Sequence, residues 1–223
     1  MTGKENETQD NGYLTYLDYI DHGLAVSCLA LALGKRLGCS KKMCYELSVA
    51  GLVHDIGKVR LSRYVERETQ INSVEELKYV RLHSMFSCAI LEKRGYSQSI
   101  LSMVLHHHEN YDGSGYPRNL RGEEIPFGAR ILRVCDVYAA MTSNRPYRRA
   151  FDHESAMAMM IEEIRDYDLQ VFLMFQRYIH EPDFHKESIW ASLSSQEERR
   201  RLLLELYPDL AGAYPDLAKA YGG

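Results

Sequence analysis

Histidine is concentrated in the first half of the chain, where six of the nine histidines occur. All six lie in or beside segments with a helical pattern of apolar residues: His22, His54, His83, His106, His107 and His108. A single histidine on an apolar helix face is ordinarily a core residue with a satisfied hydrogen bond. Here His54 is followed directly by Asp55, and His107 is followed directly by His108. Imidazole is a common metal ligand. The combination predicts a metal site.

The segment His54–Lys58 follows the apolar run Leu47–Val53 and reads His-Asp-Ile-Gly-Lys. An imidazole and a carboxylate side by side suit first-row metals such as Mn, Fe or Zn better than Ca or Mg. The carboxylate of Asp55 could also bridge two metals. Lys58 comes four residues after His54, so a continuing helical turn would place both on one face, where the cation would meet a substrate phosphate. Taken alone, the His-Asp pair would be read as a surface dipeptide.

The second histidine-rich segment runs directly into a loop. Residues 110–117 are dense in turn-forming residues, and we interpret them as an ordered loop. In a regular helix, adjacent His107 and His108 would point about 100° apart. Both reach one metal only if the helix ends there, which the loop makes plausible. Glu109 would hydrogen-bond a ligand histidine or brace the loop.

The order of these groups along the chain resembles the HD superfamily of metal-dependent phosphohydrolases and, within it, the HD-GYP subgroup. The resemblance covers roughly residues 13–180. The motifs that carry it are His22, His54-Asp55, His83, His107-His108-Glu109, Asp112-Gly113-Ser114-Gly115-Tyr116-Pro117, Asp136–Thr142 and Arg145-Pro146-Tyr147-Arg148.

This resemblance implies an all-α HD-domain helical bundle with a dinuclear or trinuclear centre of divalent metals, most often Fe or Mn. One metal would take His22, His54, Asp55 and Asp136. A second would share Asp55 and take His83, His107 and His108. Asp18 stands one turn before His22, where the family more often has Glu, and is a candidate third-metal ligand. Its alternatives are a solvated residue or a partner that orients His22.

The resemblance also implies hydrolysis of cyclic di-GMP, or a related cyclic dinucleotide, to pGpG or GMP. Asp55 and Lys58 would be the catalytic residues, and no covalent intermediate is expected. The expected substrate contacts are Lys58, Tyr116, Arg145 and Arg148. The two arginines could instead be structural, and Tyr116 could simply pack the loop. Two other functions stay open: an HD phosphohydrolase acting on another nucleotide or phosphoester, and a cyclic-dinucleotide receptor without catalysis.

The elements that must position these residues are predicted to be helices, and no strand alternation appears. Apolar periodicity and capping residues predict helices over 13–37, 40–56, 73–94, 126–141, 153–165 and 168–180, with another that opens at Ser97 or Ser99. We expect a catalytic domain over 13–180, a flexible N-terminus over 1–12 and a C-terminal helical tail over 181–223.

The overall composition limits the classes of binding partner and the compartments that we expect for this protein. The net charge of −4 provides no basic field for long nucleic acid. The five cysteines form no Cys-x-x-Cys pair, which favours a reducing, cytoplasmic compartment. Neither a signal peptide nor a membrane span is expected. We expect no sensor domain before the motifs, so regulation would come from a separate partner or be absent, and a homodimer is another possibility.

Overall fold

We describe the protein from a computed structural model, which defines residues 16–58, 80–144, 148–181 and 184, with side chains from residue 19 onward. The helices in these ranges are α1 (Tyr16–Arg36), α2 (Lys41–Val53), α3 (His83–Lys93), α4 (Gln98–His106), α5 (Phe127–Met141), α6 (His153–Glu162) and α7 (Leu169–Ile179). Two short 3₁₀ turns occur at Gly122–Glu124 and Ile164–Asp166. No β-strand occurs in the described ranges, which confirms the all-α prediction.

The core forms where α1, α2 and α5 pack together. The face that α1 turns inward is fully buried and recurs at helical spacing: Ala25, Val26, Leu29, Ala30 and Leu33. Helix α1 packs most extensively against α2 and also contacts α5. Helices α3 and α4 pack on each other, and α4 also packs on α2 and α5. Helices α6 and α7 pack against α5. This arrangement brings residues from distant parts of the chain to one end of α2.

The capping residues behave as the sequence predicts. The Ser40 hydroxyl accepts a hydrogen bond from the Met43 amide (3.2 Å), and the Ser97 hydroxyl accepts one from the Ile100 amide (3.3 Å). Ser97, rather than Ser99, is therefore the N-cap of α4. Three predicted segments lie outside the described residues: the start of the helix over 73–94, the N-terminus over 1–12 and nearly all of the tail over 181–223. The domain boundaries stay predictions.

Helix α2 ends earlier than predicted. Its last residue is Val53 instead of Ile56, and His54 and Asp55 lie in the turn that follows. A turn changes the directions of adjacent side chains, so two neighbouring residues can face one interior site.

No helix among the described residues is long and apolar enough to cross a membrane.

Candidate metal centre

The first ligand group consists of His22, His54 and Asp136, all of which are buried. His22 lies within α1, His54 caps the end of α2, and Asp136 lies within α5. The Nε2 atom of His22 is 2.8 Å from Oδ1 of Asp136, and Nε2 of His54 is 3.6 Å from the same oxygen. The mutual packing of three helices therefore converges on one donor set.

The second ligand group consists of Asp55, His83, His107 and His108. His83 is the first residue of α3, and His107 is the C-cap of α4. The Nε2 atom of His83 is 3.3 Å from Nε2 of His107 and 3.1 Å from Nε2 of His108. Because α4 ends at His106, the next two histidines can both turn toward His83, as the sequence suggested.

Asp55 lies between the two groups, with one carboxylate oxygen turned to each. Its Oδ1 is 3.2 Å from Nε2 of His83, and its Oδ2 is 3.4 Å from Nε2 of His54 and 4.0 Å from Nε2 of His22. The structure thus brings together all seven residues predicted to bind the two main metals. The arrangement is compatible with a carboxylate that bridges two metals.

Three histidines in the two groups are oriented by the main chain. The Nδ1 atoms of His54 and His107 donate to the carbonyls of Gly51 (2.8 Å) and Val104 (2.6 Å). The Nδ1 atom of His83 donates likewise to the carbonyl three residues earlier. Since a carbonyl only accepts, each Nδ1 carries a proton, and Nε2 faces the cluster. Such partners fix the tautomer and ring orientation that a metal ligand needs.

The donor atoms are better placed to bind divalent metals than to hydrogen-bond to one another. The Nε2 atoms of His83 and His107 lie 3.3 Å apart, and when both rings are neutral each offers only a lone pair. Nε2 of His54 and Oδ1 of Asp55 are buried and have no hydrogen-bond partner. A buried polar atom without a partner costs about 1–3 kcal/mol, so a cation between these atoms would relieve a real penalty. Imidazole and carboxylate together are a donor set for first-row divalent metals.

His54 differs in protonation from His107 and His108, and also from His22 of its own group, whose pKa is lowered by burial. Burial alone would lower the pKa of His54, but the carboxylates of Asp55 and Asp136 raise it to about 10. Burial lowers the pKa of His107 and of His108 well below the ordinary value, and neighbouring histidines lower both further. His107 and His108 are therefore neutral near pH 7, as metal ligands must be. His54, in contrast, holds a proton that a bound metal would displace.

The two carboxylates stay ionised despite their burial. Burial would raise the pKa of Asp55, but His54 and Lys58 hold it well below its usual range. Burial would raise the pKa of Asp136 as well, and the hydrogen bond from His22 together with the nearby His54 ring reverses the effect. Both aspartates can therefore act as anionic ligands at neutral pH.

Gly57 explains how α3 reaches the cluster. A Cβ atom at this position would lie 2.3 Å from the carbonyl oxygen of His83 and 2.7 Å from the amide of Ser87. The Gly57 amide donates to the Ser87 hydroxyl at 2.9 Å. Without a side chain at Gly57, the start of α3 packs directly on the turn that carries Asp55. Sequence analysis did not identify Ser87, because nothing local links it to a residue thirty positions earlier.

The loop over residues 110–120, which we call the glycine loop, covers one side of the second group. The amide of Tyr116 donates to the carbonyl of His108 at 3.1 Å, and the Tyr116 ring stacks on the His108 ring with centroids 4.8 Å apart. A Cβ at Gly115 would lie 2.2 Å from the amide nitrogen of Asn110, so the close return of the chain requires glycine. On its outer side, the guanidinium of Arg133 donates to the Asn110 side chain at 3.0 Å.

The residues predicted to contact substrate occupy different surroundings. The Nζ atom of Lys58 is 2.6 Å from Oδ2 of Asp55, at the edge of the cluster. Tyr116 is half-buried beside His108. The guanidinium of Arg148 donates to the carbonyls of Ala140 (2.8 Å) and Met141 (3.0 Å) at the end of α5. Its role in substrate binding stays a prediction. Arg145 and the side chain of Asp18 lie outside the described residues.

Sequence analysis missed one cation near the site. Arg81 is exposed, and its guanidinium carbon lies 5.5 Å from the centroid of the Tyr116 ring, within the range of a cation–π contact. Arg81 lies two residues before His83, a predicted metal ligand, and this spacing is the feature of the sequence that could have identified it. Its proximity to Tyr116 depends on how the glycine loop folds back.

Fold and site together define an all-α protein with a buried histidine–aspartate centre suited to divalent metals. Residues 5–171 match the model of the HD domain family. The chain is 36% identical over 159 residues to cyclic di-GMP phosphodiesterase PA4108 of Pseudomonas aeruginosa, covering 71% of this chain and 38% of the relative. It is 34% identical over 153 residues to 3'3'-cGAMP-specific phosphodiesterase 1 of Vibrio cholerae, covering 68% of this chain and 36% of the relative. The chain thus spans about two fifths of the length of these curated relatives.

Two solved structures share the fold. The cyclic GMP-AMP phosphodiesterase V-cGAP3 of Vibrio cholerae superposes with a TM-score of 0.57 at 16% identity, covering 88% of this chain and 53% of that one. The HDG"Y"P protein Bd1817 of Bdellovibrio bacteriovorus superposes with a TM-score of 0.58 at 21% identity, covering 74% of this chain and 54% of that one. This chain belongs to the HD domain family, as the resemblance in its sequence implied.

Proposed function

We propose that this chain is a metal-dependent phosphodiesterase that hydrolyses a cyclic dinucleotide, with cyclic di-GMP as the first candidate substrate. The observation that carries the proposal is the placement of Asp55 between two buried ligand groups. Relatives named as phosphodiesterases of cyclic di-GMP or 3'3'-cGAMP support the substrate class. We propose two divalent ions, Fe or Mn. Asp18 as a ligand of a third stays a prediction.

The protein's own residues would hold and orient the components of the reaction. His22, His54 and Asp136 would hold one ion and the second group the other, with Asp55 shared between them. Divalent ions in such a centre activate water as a nucleophile and neutralise charge on the phosphoryl oxygens. Because a metal-activated water would be the nucleophile, the proposed reaction requires no side-chain nucleophile.

The mouth of the site suits an anionic ligand with aromatic bases. Lys58 lies at the edge of the cluster, where its ammonium forms an ion pair with Asp55. In the complex, the ammonium would contact a phosphate oxygen of the substrate. The half-buried Tyr116 ring forms a side wall, and Arg81 places a second cation next to it. Arg145 and Arg148 remain candidate contacts from the sequence. Arginine binds phosphate and stacks on purines, so Arg81 joins this set.

Turnover with product analysis tests the proposal. The chain is purified anaerobically, loaded with Mn or Fe, and incubated separately with cyclic di-GMP and 3'3'-cGAMP while chromatography follows the products. Linear dinucleotide or mononucleotide is expected, and Asp55→Ala abolishes it. Glu162→Ala is the matched control, because it removes an exposed carboxylate from α6. A metallated, folded protein that binds either dinucleotide and leaves both intact would be a receptor, contrary to the proposal.

A further inference from the structure

Glu109 is a buried carboxylate that belongs to neither ligand group. Its relative exposure is 2%. Its Oε1 accepts a hydrogen bond from the Arg118 amide at 2.7 Å, and its Oε2 accepts one from the Leu120 amide at 3.1 Å. Nδ1 of His106 lies 3.5 Å from Oε1 as well. Both carboxylate oxygens are therefore committed to main-chain donors.

These bonds tie the far end of the glycine loop to the residue that follows His108. The amide of Tyr116 donates to the carbonyl of His108. The loop is therefore bonded both to the main chain of His108 and to the side chain of Glu109. The Glu109 amide in turn donates to the carbonyl of His106 at 3.0 Å. The backbone around His108 is thus fixed by contacts that involve no metal ligand side chain.

The position of His108 is sensitive to this backbone. In a continuing helix its ring would point about 100° away from that of His107. In the structure, its Nε2 lies 3.1 Å from Nε2 of His83 because α4 ends at His106 and the chain turns into the loop. Whatever holds the chain reversal in place also holds His108 within reach of His83.

We propose that Glu109 is a positioning residue for the second ligand group, where it holds the chain reversal that turns His108 toward His83. The inference rests on the metal centre in the proposed function. It adds that one loop carboxylate, outside both donor sets, determines the affinity of one of the two metal positions. Substituting residues that orient a metal ligand typically lowers metal affinity about 10- to 100-fold.

The test measures Mn²⁺ affinity by titration in variants that isolate each group. His22→Ala leaves the second group intact, and His83→Ala leaves the first group intact. In the His22→Ala background, Glu109→Ala is expected to weaken Mn²⁺ binding about 10- to 100-fold. In the His83→Ala background it is expected to leave Mn²⁺ binding within about twofold. Glu109→Gln keeps one carbonyl acceptor and is expected to give an intermediate loss, with thermal unfolding monitored in each variant.

Glu124→Ala is the matched control, because the Glu124 carboxylate also accepts a main-chain amide (from Arg121, at 3.0 Å), in the 3₁₀ turn that follows the loop, but is exposed. It is expected to change neither affinity. A double-mutant cycle sharpens the result: with His108→Ala already present, Glu109→Ala should cause no further loss at the second group.

Three outcomes would overturn the inference. They are an unchanged second-group affinity in Glu109→Ala, an equal loss at both groups in Glu109→Gln, and an additive loss in the cycle with His108→Ala. The readout needs no substrate. A wild-type protein that binds two Mn²⁺ ions and hydrolyses neither cyclic dinucleotide would contradict the proposed function alone.

Discussion

The two ligand groups are built in different ways. His22 and Asp136 of the first group lie within helices α1 and α5, so the packing of the core fixes them. In the second group His83 begins α3 and His107 caps α4, while His108 and Asp55 lie just beyond helix ends. Two of the three first-group ligands are therefore fixed by the helix bundle, with His54 at the end of α2, whereas every ligand of the second group lies at a helix start or in a turn.

This difference separates two kinds of supporting residue. Around the second group, a missing side chain at Gly57 and a carboxylate at Glu109 set the approach of α3 and the path of the glycine loop. Around the first group, the support comes from apolar packing of α1 on α2. Substitutions outside the donor sets should therefore affect the second group more selectively than the first.

Removing Asp55 should have the largest effect, because this residue faces both groups. Asp55→Ala leaves His54 without its nearest carboxylate and Lys58 without its partner. We expect metal affinity at both groups to fall by more than about 100-fold, beyond the loss typical of an orienting partner, and turnover to disappear. Metal analysis after dialysis checks this. Loss of metal from one group alone would show that Asp55 does not join them.

Two glycine substitutions compare the groups directly. In Gly57→Ala the new methyl would meet the carbonyl of His83, whereas in Gly51→Ala it would meet the backbone of Ser27 at 2.8 Å, between α1 and α2. Each should cost about 1–3 kcal/mol of folding free energy, the usual range for overpacking. Gly57→Ala should weaken the second group about 10-fold or more and spare the first.

For Gly51→Ala we expect the reverse, since the displaced helices carry His22 and His54. Mn²⁺ titration of both variants, together with thermal unfolding, checks the pair. Equal losses at both groups in both variants would mean that the centre responds only to overall stability.

The pH dependence of metal binding should also differ. His54 has a pKa raised to about 10, so below that pH a metal entering the first group must displace its proton. First-group affinity should therefore rise as pH increases, by about tenfold per pH unit for one displaced proton. At the second group, His107 and His108 are already neutral, because their pKa values are lowered.

Calorimetric titration with Mn²⁺ in buffers of different ionisation enthalpy measures the protons released. About one proton is expected from the first group near pH 7. The same proton release from both isolating variants, His22→Ala and His83→Ala, would remove the electrostatic distinction between the groups.

The smallest effect is expected at the mouth of the site. Arg81→Ala should raise KM for the cyclic dinucleotide about tenfold, the worth of one charged hydrogen bond, with kcat and metal content nearly unchanged. Arg177→Ala is the control, because it removes an exposed arginine from α7, which carries no site residue. Steady-state kinetics of both variants check the prediction. Equal KM values for the two would place Arg81 outside the substrate's reach.

The seven residues of the two ligand groups were predicted through the family resemblance, and the structure brings them together, while metal binding by these residues stays a prediction. Helix starts at Ser40 and Ser97 were predictable because a cap is a local interaction. Of the two roles that the sequence offered for Glu109, the structure supports bracing of the loop, but the amides of residues 118 and 120 could not be predicted as its partners, since a main-chain amide leaves no mark in the sequence. The same holds for Arg148, whose side chain donates its hydrogen bonds to main-chain carbonyls.

The most direct measurement is anomalous diffraction from crystals of the Mn²⁺-loaded protein. Two anomalous peaks are expected, on opposite sides of the Asp55 carboxylate. His22, His54 and Asp136 should surround one peak, and His83, His107 and His108 the other. A single peak, or two peaks of which one lacks Asp55 as a ligand, would contradict the shared centre on which the proposed phosphodiesterase activity depends.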